Sequence, residues 1–236
     1  MRFYKQFTKP KAISFDLDDT LYDNGPIMQK AEHEAQKFMA QKCDELVAWS
    51  IVDWERYRQQ TAQMFPQIAQ DMTVLRTFTM QRALLEKGFS QGVAAQIAKQ
   101  GFEYFWFWRN HFTVAAQVVS LLEQLGQKYL LYIISNGNAD YKKIGLGNVF
   151  AHALHPKFQQ LRLKPHSDLF LQAEKISQIA GKNWLHIGDQ INSDVNGALQ
   201  VNWQAAWFNP AQTAPQESCL PHLEYAKLSE IVSFLL

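Results

Sequence analysis

The stretch Ala12-Ile13-Ser14-Phe15-Asp16-Leu17-Asp18-Asp19-Thr20 decides how the rest of the chain is read. Ala12 to Phe15 are small, apolar or β-prone and read as a strand. Three carboxylates, Asp16, Asp18 and Asp19, follow at once. Side chains alternate along an extended chain, which starts Asp16 and Asp18 on one side. Like charges that close repel and cost free energy. Such a strand end is either an acidic turn in solvent, a cation holder, or a site of proton transfer. A calcium loop would need Gly at its sixth position and Glu at its twelfth. Counting from Asp16, those places hold Leu21 and Ile27, which excludes it. A solvated turn is the commonest fate of an isolated Asp-x-Asp, so the choice passes to the rest of the chain.

Composition narrows the classes. The 236 residues, 47% hydrophobic, suffice for one large domain or for a core with an insertion. Lys plus Arg number 23 against 22 Asp plus Glu, a formal net charge of +1, so no basic excess points to nucleic acid. Cys43 and Cys219 lie far apart in no metal-like spacing, and a reducing compartment is the simpler reading. Arg2, Lys5, Lys9 and Lys11 are not followed by the apolar run of a secretory signal. The apolar run Tyr129 to Ile134 is too short to span a bilayer. The expectation is a cytoplasmic protein with no nucleic-acid or membrane partner, and with no internal repeat.

Along the chain, Asp23-Asn24-Gly25-Pro26 reads as a turn into a helix, with Pro26 suited to the first helical turn. Residues 27 to about 110 carry apolar positions at helical spacing and no convincing strand. Gly88 reads as a C-cap there and Ser90 as an N-cap. From Thr113 helix and strand alternate. Val114 to Leu125 is amphipathic and stops at Gly126. Tyr129 to Ile134 is a strand-length apolar run that turns at Ser135-Asn136-Gly137-Asn138. A helix is expected over 167–180, ending at Gly181, and a strand over Trp184 to Ile187 running into Gly188-Asp189. A helix start follows at Asp194 to Gln200, then a strand over Ala205 to Phe208, and a last helix capped by Ser229. Strands alternating with helices imply a parallel α/β sheet, whose ligands bind beyond the carboxyl ends of the strands. Asp16/Asp18, Ser135/Asn136 and Asp189 all fall at that edge, which weakens the solvated-turn reading.

Four pieces stand in chain order: D-L-D-D-T (16–20), I-I-S-N-G (133–137), Lys164-Pro165 and I-G-D-Q-I-N-S-D (187–194). They resemble the four motifs of the haloacid dehalogenase-like hydrolases, and the resemblance runs over essentially the whole chain. It implies a Rossmann-like parallel-sheet core of residues 1–22 and 112–236. It also implies an all-helical cap of residues 23–111, inserted after the first motif. By the same resemblance Asp16 is a nucleophile that becomes an aspartyl phosphate, and Asp18 a general acid and base. Mg²⁺ is the implied cofactor, held by the Asp16 carboxylate, the Asp18 carbonyl and Asp189. Ser135, Asn136 and Lys164 are implied at the substrate phosphate, with Thr20 and Asp194 bracing the site from behind. Taken singly, Ser135 could be a turn residue, Lys164 a surface lysine and Asp194 a helix N-terminal acid. An acid at Asp18 implies a phosphatase or phosphomutase, because dehalogenase members of the family lack it.

More local matches, M-R-F-Y at the start, F-D-L-D-D-T-L-Y-D-N (15–24), N-G-N-A (136–139), F-L-Q-A-E-K (170–175), L-H-I-G-D (185–189) and L-P-H-L-E (220–224), resemble the riboflavin-pathway branch of the family. That branch acts on 5-amino-6-(5-phospho-D-ribitylamino)uracil and on flavin mononucleotide, so a small phosphate monoester is the expected substrate. Two departures stand out. Asn202 replaces a Gly that many relatives carry, and Asn tolerates a left-handed backbone. His155 to Gln160 replaces a Gly-rich lead-in to Lys164. His152 and His155 are spaced for a metal pair but lack further ligands and read as structural. The run Phe102 to Arg109 offers Trp106, Trp108 and Arg109 as contacts for a substrate ring, against the plainer reading of packing within the helical block. A broad-range nucleotide or sugar phosphatase and an inactive binding relative stay as alternatives.

Overall fold

The computed structural model describes residues 1–215 and 218–236, and the chain divides into two compact units. In chain order the elements are β1 (Arg2–Phe3), β2 (Ala12–Phe15), α1 (Gly25–Lys42), α2 (Ile51–Met64), α3 (Met72–Glu86), α4 (Gln91–Arg109), α5 (Ala116–Gly126), β3 (Leu130–Ile134), β4 (His152–Leu154), α6 (Asp168–Ser177), β5 (Trp184–Gly188), α7 (Gly197–Gln200), β6 (Gln204–Phe208), β7 (Leu223–Tyr225) and α8 (Leu228–Leu235). One unit comprises Met1–Asp23, Thr113–Pro156 and Leu161–Leu236; the other comprises Asn24–Phe112 with Lys157–Gln160.

The first unit is built on one sheet in the order β1-β7-β6-β5-β2-β3-β4. All neighbours are parallel except β1, which runs antiparallel on β7. The chain builds outward from β2 through β3 and β4, then returns to the other side of β2 with β5. That reversal is the topological switch point, where a crevice opens beyond the strand ends. Asp16 follows β2 and Asp189 follows its hydrogen-bonded neighbour β5, so tertiary pairing brings the two acids to one edge.

The central strands are buried on both faces, which is why they read as continuous apolar runs. On one face Tyr132, Ile134, Trp184 and Trp203 pack with Leu169, Phe170 and Ala173 of α6 and Ala198 of α7. Trp184 and Trp203 stack at 4.4 Å, and Phe170 meets Trp203 edge-on at 5.3 Å. Aromatic pairs of this kind contribute about 0.5–1.5 kcal/mol each beyond the area they bury. Their indole N–H groups are also satisfied, Trp184 on the Ile179 carbonyl and Trp203 on Glu174. Elsewhere in this unit α5 packs against α8 and β3, and α8 against β7.

The second unit is helical throughout, as its periodicity predicts. Its core is Ala31, Ala35, Met39, Trp54, Met80, Ala83, Leu84, Ala98 and Phe105. Pro26 sits in the first turn of α1, and Gly88 takes φ of 85° beyond the end of α3. Buried Arg76 pairs with Glu32 at 2.8 Å and lies over the Phe105 ring at 3.7 Å. Lys157–Gln160, counted with the core in the sequence reading, packs with this unit: Phe158 N donates to Asp71 Oδ2 at 3.2 Å.

Several boundaries differ from the sequence reading. The helix after Ser167 ends where Gln178 turns left-handed at φ 58°, three residues before Gly181. The last helix starts at Leu228 with Lys227 as its N-cap, so Ser229 lies inside it. The segment before Gln200 opens as a π-helical turn, Ile191–Asn196. The short strands β1, β4 and β7 have two or three residues each, too few to show a period. Asn202 takes φ of 60°, the left-handed conformation its side chain tolerates. Among the described residues no helix is long and apolar enough to cross a membrane.

Candidate active site

Beyond the carboxyl ends of β2, β3 and β5 lies a cavity of about 170 Å³ lined by Asp16, Asp18, Ser135, Lys164, Asp189 and Asp194, among others. Its floor is organised by Lys164, whose ammonium is almost wholly buried. Nζ donates to Asp16 Oδ1 at 2.7 Å, to the Ile134 carbonyl at 2.6 Å and to Asp194 Oδ1 at 2.5 Å. Those three bonds use all three ammonium protons. Burial works against the charge on Lys164, but Asp16 and Asp194 outweigh it and hold its pKa above the ordinary value. Burial likewise opposes the Asp194 anion, and Lys164, with His186, holds that carboxyl well below the usual range. Asp16 goes the other way: burial pushes it up to about 7, with Lys164 opposing the rise and Asp194 adding to it.

Local chain geometry puts each group there. Asn136 clamps the Lys164 main chain, accepting from its N–H at 2.7 Å and donating to its carbonyl at 2.9 Å. The Asn136 amide, expected at the phosphate, is thereby engaged with the lysine backbone. Ser135 Oγ accepts from Gly137 N at 3.2 Å, and Gly137 itself lies so close to Asp18 that a Cβ would overlap Asp18 Oδ2. His155 Nδ1 is 2.8 Å from the Gly137 carbonyl, which gives this histidine a bracing contact in the same loop. Gly188 lets the π-helical turn fold Asp194 back beneath the site, because a Cβ there would overlap the Asp194 side chain. Asp194 Oδ2 then accepts from Gln190 N at 2.9 Å. Thr20 Oγ1 donates to Asp189 Oδ1 at 3.2 Å, and Trp207 Nε1 fixes the Asp189 carbonyl at 2.7 Å.

The sequence reading missed a buried layer under Lys164. Ser14 and His186 face each other across β2 and β5, with Oγ and Nδ1 2.7 Å apart. His186 Nε2 lies 3.2 Å from Asp194 Oδ1 and 3.5 Å from the lysine Nζ. Since the ammonium protons are spent elsewhere, Nε2 carries the imidazole proton and donates it to Asp194, and Nδ1 accepts from the Ser14 hydroxyl. Burial, then the Lys164 charge, lowers the His186 pKa to about 4, consistent with a neutral ring. A lone His within an apolar strand run was the available signal, but only the strand register pairs it with Ser14.

Trp106, Trp108 and Arg109 lie on α4 of the helical unit. Trp106 and Trp108 pack against that unit's core, Lys30 covers the Trp108 ring at 4.2 Å, and Arg109 is 1% exposed. The outward rings of the aromatic run are Tyr104 and Phe107, at 38% and 52% exposure.

Residues 10–202 match the family model of a haloacid dehalogenase-like hydrolase. The chain belongs to the haloacid dehalogenase-like hydrolases. It is 36% identical, over the full length of both chains, to the Escherichia coli 5-amino-6-(5-phospho-D-ribitylamino)uracil phosphatase. A structure from Pseudomonas syringae described as a 2-haloacid dehalogenase superposes with a TM-score of 0.87 at 30% identity, covering 96% of this chain and 98% of that one. A Bacillus subtilis hydrolase of the same family, solved bound to magnesium, matches at a TM-score of 0.65 and 22% identity, covering 97% and 99%. Within the haloacid dehalogenase-like hydrolases the chain is a phosphoric monoester hydrolase.

The donor set of this haloacid dehalogenase-like site fits a hard divalent cation. Asp16, Asp18 and Asp189 bring only oxygen to the cavity, and burial, then the charge of Asp194, raises the Asp189 pKa as well. Buried Asp16 and half-buried Asp189, both held above their ordinary range, gain from added positive charge. Mg²⁺ is a cation of this kind: it takes one or two carboxylates plus a substrate phosphate and keeps waters in its remaining positions.

Proposed function

We propose that the chain hydrolyses phosphate monoesters through an aspartyl phosphate on Asp16, with 5-amino-6-(5-phospho-D-ribitylamino)uracil and flavin mononucleotide as substrates. The observation that carries this reading is a buried Asp16 paired with Lys164 at 2.7 Å, with a second carboxyl, Asp18, in the same cavity. Asp16 attacks phosphorus while Asp18 protonates the departing oxygen. Asp18 then takes a proton from the water whose oxygen attacks the aspartyl phosphate, which frees Asp16 and releases orthophosphate. Ser135 hydrogen-bonds the phosphoryl oxygens, Lys164 offsets their charge together with that of Asp16, and Asn136 serves by fixing Lys164. Asp194, saturated by Lys164, His186 and Gln190, holds the ammonium on Asp16. Asp16, the Asp18 carbonyl and Asp189 would hold Mg²⁺, which when bound offsets the repulsion between carboxylate and phosphate.

The name of the Escherichia coli relative supports the ribityl substrates. The Pseudomonas syringae structure raises dehalogenation as the second reading. Halide departs without a proton, so a carboxyl two residues after the nucleophile has no task there. Asp18 therefore favours phosphate ester cleavage. A phosphate-release screen with Mg²⁺ over flavin, ribitylaminouracil, nucleotide and sugar phosphates, with halide release from 2-chloropropionate in parallel, tests both. Highest kcat/KM on the two ribityl phosphates is expected. Equal turnover of glucose 6-phosphate or phosphoglycolate would favour a broad-range phosphatase, and halide release without phosphate release would favour the dehalogenase.

A further inference from the structure

Tyr22 plays no part in the steps above, yet it touches their proton donor. Asp19 turns left-handed at φ 58°, and Leu21 N donates to the Leu17 carbonyl at 2.9 Å, so the chain doubles back after β2. Residues Asp18 and Tyr22 are thereby paired in an isolated parallel bridge. The Tyr22 hydroxyl donates to Asp18 Oδ1 at 2.7 Å. On the other side of the carboxyl, Oδ2 lies against Gly137, where a Cβ would overlap it.

We propose that Tyr22 is a positioning residue that holds the Asp18 carboxyl in the orientation from which it transfers its proton. The proposal rests on the aspartyl-phosphate reading above. The phenol grips Oδ1 at 2.7 Å and Gly137 packs against Oδ2, so the plane of the carboxyl is set from both sides. In the first half-reaction the Asp16–phosphorus bond forms, the bond from phosphorus to the leaving oxygen breaks, and the Asp18 proton passes to that oxygen. In the second, the water oxygen bonds phosphorus, the Asp16–phosphorus bond breaks, and a water proton returns to Asp18. Tyr22 keeps its proton throughout. Without the phenol the carboxyl rotates about its own bond and is less often aligned with the leaving oxygen.

The test is Tyr22→Phe in the full chain with Mg²⁺, a change that removes one oxygen and keeps the ring. Kcat/KM is read on flavin mononucleotide, whose alkoxide must be protonated, and on p-nitrophenyl phosphate, whose phenolate need not be. A hydrogen bond to a charged or reacting carboxyl corresponds to about 10–100-fold in rate, so a loss of that order is expected on flavin mononucleotide. The loss on p-nitrophenyl phosphate should be several-fold smaller. On an Asp18→Asn background the same Tyr22 change should cost nothing further, since both act through one proton. Equal losses on the two substrates, or full additivity with Asp18→Asn, would overturn the role of Tyr22. If Asp18→Asn itself affects both substrates alike, the general-acid reading fails and takes this proposal with it.

Discussion

At the scale of single residues, Asp16 and Asp18 divide the chemistry. Asp16→Asn should leave phosphate release near background, measured on enzyme freed of contaminating phosphatase and checked for deamidation. Asp18→Asn should cost about 10²–10⁴-fold, the usual contribution of general acid–base catalysis, and less on p-nitrophenyl phosphate. The buried His186 makes a separate prediction about pH. Its folded pKa of about 4 lies below the ordinary 6.5, so the folded state favours the neutral ring. The stability this contributes is complete above pH 6.5 and is lost as pH falls through 4. The full shift corresponds to about 3 kcal/mol. Asp16, raised to about 7 from 3.8, acts in the opposite sense over much of the same window. The wild-type curve therefore mixes the two, and the difference between wild type and His186→Gln isolates the histidine. Thermal melts from pH 7.5 to 4 should show the variant less stable at neutral pH but less sensitive to acid. Parallel curves would show that His186 is not buried neutral.

At the scale of elements, caps and close approaches position the chemistry. Asp71 accepts from Thr73 N and Val74 N at the start of α3 and from Phe158 N on the segment leading to Lys164. Asp71→Ala should destabilise by about 1–2 kcal/mol, the cost of a lost helix cap plus one further bond, read as a lower melting temperature. Substitution by Asn should recover most of it. In α4, the packing of Trp106 and Trp108 makes their alanine variants a test of specificity and of stability at once. If these rings read the substrate, KM rises for the ribityl substrates while p-nitrophenyl phosphate is little affected. Equal KM values for all substrates would leave them a packing role. The amphipathic period of this helix was legible in the sequence. Which of its aromatics faces outward was not, because so dense an aromatic run fills every face of the helix.

At the scale of the whole molecule, the acids converging at the sheet edge predict dependence on a divalent cation. EDTA should abolish turnover and Mg²⁺ restore it, and Mg²⁺ should raise the melting temperature of the wild type but not of Asp189→Asn. Full activity in chelated buffer would count against the Mg²⁺ reading. The sequence by itself determined the sheet class, the helical insertion and the identity of the acids. Apolar run lengths and helical period are local properties, and Asp16, Asp18, Ser135 and Asp189 stand directly beyond runs legible as strands. Lys164 was legible only through its place among the four motifs, since the loop before it has no period. Tertiary structure alone decided what lies beneath it. Ser14 and His186 are 172 residues apart and meet because β2 and β5 pair in one register. Asp194 reaches the lysine because Gly188 leaves room for a π-helical turn. Register and backbone clearance are set by how strands dock on one another, a long-range choice that no single segment encodes.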